Sequence, residues 1–224
     1  MIPPGGSLSL VQRRALCSLA SLSPAWTLTG GGALAGAWLG HRETRDLDLF
    51  FHGLSALGAA TSGAVAALRA TGLEVEIVRS EPTFAELRVH DDTGSVVVDL
   101  VAEPVPNVEP PRSVQIDGVA IRVDSPHEIL VNKLCALLGR SELRDLVDVR
   151  ALLDAGEDLR RAVEDAPKKD TGFSPLTLSW VLEHLPVARL AESAKVASDA
   201  AHALADFRSQ LVSRLLALAG PETR

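Results

Sequence analysis

The chain has 224 residues, enough for one large domain or two modest ones, and 46% of them are hydrophobic, ample for a buried core. With 29 acidic residues against 22 basic ones the formal net charge is −7, which excludes a global electrostatic footprint for nucleic acid; such a partner has to be argued from a local site. Cys17 and Cys135 stand far apart with no CxxC or Cys/His spacing, which speaks against a disulfide framework and a zinc site, and both read as small buried hydrophobes.

In chain order, residues 8–20 are apolar at helical spacing, and Pro24 closes them before a short strand at Trp26–Thr29. Gly30, Gly31 and Gly32 then lead into an Ala/Leu-rich helix that ends at Gly40. The segment Asp46-Leu47-Asp48-Leu49-Phe50-Phe51 alternates acidic and apolar residues, which predicts a strand with both aspartates on one side. Residues 55–71 read as a helix capped by Gly72. Three β-like runs follow, LEVEIVRS, FAELRVH and SVVVDLVAE, the last two forming a hairpin. VQIDGVAIRV signals another, because Asp117-Gly118 suits the positive φ angles of a type I′ turn.

The texture changes at Ser125-Pro126-His127-Glu128, which has the form of a capping box with proline at the first helical position; helical patterning follows to about Leu153. A charged stretch, Glu157 to Asp170, precedes further helices expected at 175–184 and 187–219. The boundary between an α/β part and an all-α part falls near residue 124. No run of roughly eighteen uncharged apolar residues occurs, and the basic pair Arg13-Arg14 follows the apolar residues of the N-terminus instead of preceding them. A cytoplasmic protein with no membrane attachment is expected.

Phosphoryl transfer needs a way to hold phosphates, a metal to neutralise developing charge, and carboxylates to hold that metal. At Gly30-Gly31-Gly32 the absent side chains let backbone N–H groups approach an anion, and the following helix offers its positive end. Read alone, the run is more often only a tight turn. Asp46 and Asp48 put two carboxylates side by side, an arrangement relieved by a hard cation such as magnesium or manganese, or else by solvent on an exposed strand face. Asp99 lies within SVVVDLV, where a lone aspartate would be poorly solvated and needs a partner. His41 and Arg42 precede the aspartate strand and are candidates to meet phosphate or acceptor. The remaining histidines lack ligand spacing, and no Gly-x-Ser-x-Gly elbow, P-loop or HExxH occurs.

The strand ending in Gly-Gly, the helix, His-Arg-x-Thr-x-Asp-x-Asp and the later strand aspartate together resemble the polymerase-β nucleotidyltransferase superfamily. The version TGGGALAGAWLGHRETRDLDLFF is similar to the AbiEii/AbiGii-type nucleotidyltransferase toxins. The resemblance implies an α+β fold: a mixed sheet with flanking helices as a nucleotidyltransferase core over 1–124, then a helical bundle over 125–224 that completes the active-site cleft. It makes Gly30 and Gly31 the family's glycine pair, Asp46 and Asp48 its paired metal ligands and Asp99 its third carboxylate. Gly32 departs from the family's usual Ser or Thr, so a hydroxyl contact to phosphate is missing; Thr27, Thr29 and Thr44 are candidates to replace it.

A second matching block is Lys133, Arg140, Arg144-Asp145 and Asp148. Four of these, Lys133, Arg140, Arg144 and Asp148, share one helical line if the pattern runs unbroken, with Gly139 a candidate break. Lys133 is read as a cation reaching the triphosphate, the alternatives being an Arg144–Asp148 helix pair and solvated Lys133 and Arg140.

The function implied is Mg2+- or Mn2+-dependent transfer of a nucleoside monophosphate from an NTP to an acceptor hydroxyl, the acceptor a tRNA 3′ end, as a toxin with a possible cognate antitoxin. Alternatives are a small-molecule or protein acceptor, or a catalytically silent module that binds a nucleotide or a partner.

Overall fold

The structure, a computed structural model, describes residues 7–140 and 142–220. The chain divides into two compact units between Pro126 and His127.

The first unit is built on a seven-stranded mixed sheet. Its strands are β1 (Thr27–Thr29), β2 (Asp46–His52), β3 (Glu74–Ser80), β4 (Phe84–Asp91), β5 (Gly94–Glu103), β6 (Arg112–Ile116) and β7 (Val119–Val123), in the spatial order β3-β4-β5-β2-β1-β7-β6. β2 lies parallel to β5 and antiparallel to β1, and β1 in turn lies parallel to β7. The two hairpins expected from sequence form, β4–β5 and β6–β7, and LEVEIVRS adds β3 antiparallel to β4. At the tip of β6–β7, Asp117 and Gly118 take φ values of 48° and 81°, the left-handed pair that a type I′ turn requires.

Strand alternation sorts the sheet into two faces. Leu47, Leu49 and Phe51 of β2, Leu87 of β4 and Val98 and Leu100 of β5 are all 0% exposed and form the apolar face. Helices α1 (Leu10–Leu19) and α2 (Ala60–Ala70) pack on the sheet with Val11, Ala15, Leu16, Leu19, Ala64 and Leu68 buried. The residues that alternate with the apolar ones, among them Asp46, Asp48 and Asp99, occupy the other face half-buried.

α1 begins at a capping box that links Ser9 and Gln12, so Gln12 is buried and its Nε2 is free to donate to Thr44 O at 2.9 Å. The helix after the glycine run, Gly32–Leu39, is wound as a π-helix, and the Gly40 N–H reaches back five residues to Ala35 O at 3.0 Å. Alanine and glycine at five of its eight positions leave little side-chain bulk to resist that wider winding.

The second unit is helical: α3 (Pro126–Gly139), α4 (Leu143–Asp154), α5 (Leu159–Asp165), α6 (Pro175–Glu183), α7 (Val187–Ser193) and α8 (Ser198–Ala219). α6 and α7 lie against α8, and Leu178, Leu182, Leu211 and Leu215 are buried among them. The patterning read as one helix to Leu153 is two, separated after Gly139. The helix expected over 187–219 is also two, because Lys195 takes a φ of 54° in the turn between them. The charged stretch after Glu157 holds α5, which starts where the Asp158 carboxylate accepts from the N–H groups of Arg160 and Arg161. Cys17 and Cys135 are free thiols and only half-buried, against the expectation of full burial; their Sγ atoms lie near Ile116 O and Ala166 O.

Candidate active site

The parallel pairing of β2 with β5 sets Asp48 opposite Asp99 and Asp46 opposite Val97. Neighbouring strands run about 4.8 Å apart, so Asp48 and Asp99 stand side by side on one face with Asp46 two positions along. The same cross-strand row continues outward: Glu86 of β4 lies opposite Asp99, and Arg79 of β3 opposite Glu86. On the inner side Thr29 of β1 lies opposite Asp48. Glu86 is the third carboxylate of this row after Asp48 and Asp99, and the sequence reading passed over it. FAELRVH shows the alternation that fixes its side, but only the β4–β5 register shows that it neighbours Asp99. Arg79 does not neutralise it, because its guanidinium is drawn to Glu81 at 2.7 Å and over the Phe84 ring.

The glycine run meets the aspartates directly. Gly30 has a φ of 61°, and a β-carbon there would overlap Asp48 Oδ2, so the bare α-carbon is what admits the carboxylate. At Gly31 a β-carbon would run into Arg42 Nη2 and Thr44 Oγ1, at 2.7 and 3.2 Å. Gly32 is different: its neighbours are Leu47 Cδ2, Leu28 Cδ1 and the backbone oxygen of Asp46. A side chain at position 32 would therefore meet the sheet's apolar packing. Thr44 is 8% exposed, and its hydroxyl donates within reach of Asp46 Oδ1 (3.1 Å) and Asp46 O (3.2 Å). Thr27 and Thr29 are buried in β1, where Thr27 Oγ1 accepts from Arg122 at 3.4 Å.

Gly30, Gly31, Arg42, Thr44, Asp46, Asp48 and Asp99 are thus gathered at one place in the first unit. The first N–H groups of a helix lack intrahelical partners, and with the Arg42 guanidinium they make the Gly31 end of the group anion-attracting. For a divalent cation the hard oxygen donors and the Asp48–Asp99 register fit. The rotamers present do not yet gather them: Asp46 is turned to Thr44, and among the described residues no three Asp, Glu, His or Cys side chains converge as a metal-binding group.

The second block of sequence-predicted residues sits in the helical unit and forms an ionic cluster. Lys133 Nζ lies 2.7 Å from Asp145 Oδ1 and 2.8 Å from Asp148 Oδ2, and both aspartate side chains are 0% exposed. Arg140 adds a bidentate contact to Asp145, Nε to Oδ2 at 2.9 Å and Nη2 to Oδ1 at 3.0 Å. Burial pushes the Asp145 carboxyl up, but hydrogen bonds from Arg140 and Lys133 and the charges of both outweigh it and hold the group below its ordinary value. Arg144 reaches Glu142 at 2.6 Å. Because the chain turns after Gly139, α4 folds back and brings Asp145 and Asp148 to Lys133 from a separate helix. A single helical line would have placed only Asp148 on the Lys133 side.

Among solved structures the fold is that of nucleotidyltransferases. MenT4, a nucleotidyltransferase toxin from Mycobacterium tuberculosis, superposes with a TM-score of 0.60 at 18% identity, covering 95% of this chain and 86% of its own. JHP933 from Helicobacter pylori gives 0.55 at 17% identity, covering 93% and 92%. No curated protein matches the sequence. Residues 14–213 match the family described as nucleotidyl transferase AbiEii toxin, type IV toxin–antitoxin system, and the chain belongs to that family. It is a nucleotidyltransferase, and the family is one of toxins. Among the described residues no helix is long and apolar enough to cross a membrane.

Proposed function

We propose that the protein transfers a nucleoside monophosphate from an NTP to the 3′-hydroxyl of a tRNA. The observation that carries this reading is the register that places Asp48 beside Asp99, with Asp46 on the same face and the Gly30 turn against Asp48. Asp46, Asp48 and Asp99 would hold Mg2+ or Mn2+, which when bound supplies neutralisation of the charge that develops on the phosphate oxygens.

The chain's own residues do the rest. Arg42 and the backbone N–H groups at Gly31 bind the phosphates and fix the α-phosphorus in line for attack. Thr44, anchored through Gln12, holds the Asp46 carboxylate in one orientation. The acceptor oxygen forms its bond to the α-phosphorus, the bond from that phosphorus to the leaving pyrophosphate oxygen breaks, and a carboxylate oxygen of Asp99 takes up the hydroxyl proton. A cognate antitoxin is the protein partner that family membership suggests.

The test is to incubate the protein with each labelled NTP, magnesium or manganese, and total tRNA. Ribonuclease-sensitive label that disappears in Asp48→Ala is expected. Label that persists in Asp48→Ala overturns the assigned site, and label that survives ribonuclease assigns the acceptor to a protein or small molecule.

A further inference from the structure

The helical unit carries a concave surface that the transfer site does not use. Leu138, Val181, Leu185 and Leu190 form its floor, and Trp180, His184, Pro186 and Arg189 its rim, around a cavity of about 400 Å³. Trp180 is 62% exposed, although an indole is among the groups whose burial is most favourable. Its ring stands 4.7 Å from the His184 ring at an interplanar angle of 42°, so the two pack together as a tilted pair at the surface. His184 Nδ1 donates to Trp180 O at 2.7 Å, which fixes the imidazole plane one helical turn on. Arg189 is exposed, and among the described residues no carboxylate pairs with it. In a chain with 29 acidic residues to 22 basic ones, a rim with an unpaired guanidinium and no carboxylate in its lining is a local reversal of charge.

An exposed indole face beside an imidazole and a cation suits an unpaired nucleobase with its phosphate. An apolar helix from a protein partner would use the floor and the nearby exposed Leu176, but gives no role to an unpaired Arg189 beside fixed aromatic planes. We propose that this pocket binds an unpaired base of the RNA acceptor, stacked on Trp180 and His184 with its phosphate at Arg189. The proposal rests on the reading of the acceptor as RNA.

It is tested on the full chain with a short fluorescein-labelled single-stranded RNA, followed by anisotropy across a salt series, for wild type, Trp180→Ala, Trp180→Phe and Arg189→Ala. Loss of one stacking contact weakens RNA binding ~5- to 150-fold in Trp180→Ala, while Trp180→Phe retains most of the affinity. Arg189→Ala lowers the slope of log K against log salt by about 0.7, the share of one phosphate on a single strand. NTP binding by the same proteins stays at the wild-type level. RNA binding by wild type that is unchanged in Trp180→Ala and Arg189→Ala overturns the pocket and leaves the RNA acceptor standing. No RNA binding by wild type overturns both. Intact RNA binding with self-association lost in Trp180→Ala, read by sedimentation, reassigns the surface to a contact between protein copies.

Discussion

Replacing Lys133 by alanine measures what the ionic cluster contributes to the fold. The substitution removes a positive charge held 2.7 and 2.8 Å from two carboxylates whose side chains are 0% exposed. Taking one partner from a buried ion pair costs about 3–5 kcal/mol, a large share of the ~5–15 kcal/mol that holds a typical domain. For a chain of this size that corresponds to a fall in melting temperature of roughly 6–20 °C. Circular dichroism of wild type, Lys133→Ala and Lys133→Met/Asp148→Leu measures it. The double variant, which replaces the charge pair by apolar groups, recovers much of the loss.

The pH dependence has a definite sign. Asp145 is held below its ordinary value of 3.8, so the stability it contributes is present above that value and is lost as pH falls through its folded value. The gap between wild type and Lys133→Ala is therefore full near neutrality and narrows in acid below 3.8. A Lys133→Ala melting temperature within about 2 °C of wild type at neutral pH, less than the effect of a single kcal/mol, refutes the assignment of the cluster as a buried ionic brace.

Gly30→Ala is expected to lose label transfer and to melt ~2–8 °C lower, since the left-handed backbone costs ~1–2 kcal/mol and the new β-carbon displaces the Asp48 carboxylate. Gly32→Ala meets Leu47 Cδ2 at 3.1 Å and Leu28 Cδ1 and Asp46 O at 3.3 Å, touches neither Asp48 nor Arg42, and keeps more of its transfer activity than Gly30→Ala; equal loss in both variants refutes the separate roles given to the two glycines. The Cys135 thiol is pushed up to about 11 by burial and by the neighbouring Asp170, so native protein resists alkylation at neutral pH while urea-unfolded protein reacts at once. Rapid native labelling, located by peptide mapping, contradicts that environment.

The sequence showed the faces of the sheet more clearly than its neighbours. Asp46, Leu47, Asp48 and Leu49 alternate strictly, which is enough to place both aspartates on one side, and Asp117-Gly118 fixes its hairpin by turn chemistry alone. The pairing of Asp48 with Asp99 joins strands distant in the chain, so the resemblance supplied it where periodicity could not. Glu86 stayed hidden for the same reason, since nothing local distinguishes it from a solvated strand residue. Gly32 read as a missing hydroxyl because chain position does not reveal that its neighbours are Leu28 and Leu47. In the helical unit, alanine-rich periodicity ran straight through the turn at Lys195, whose positive φ is set by how the helices pack rather than by a glycine. Gly139 was legible as a candidate break, but not that the turn after it brings Asp145 and Asp148 onto Lys133.

The place of β1 between β2 and β7 has a consequence for synthesis. As the chain leaves the ribosome, β2 and β5 emerge well before Val123, which gives β1 its second neighbour through Leu28. A nascent chain can therefore align Asp48 with Asp99 while β1, the strand that delivers the Gly30 turn, is still an open edge. Fragments that stop short of Val119 keep that edge permanently, with unpaired backbone groups ready to recruit another strand, and are expected to aggregate where a chain extended past Val123 does not.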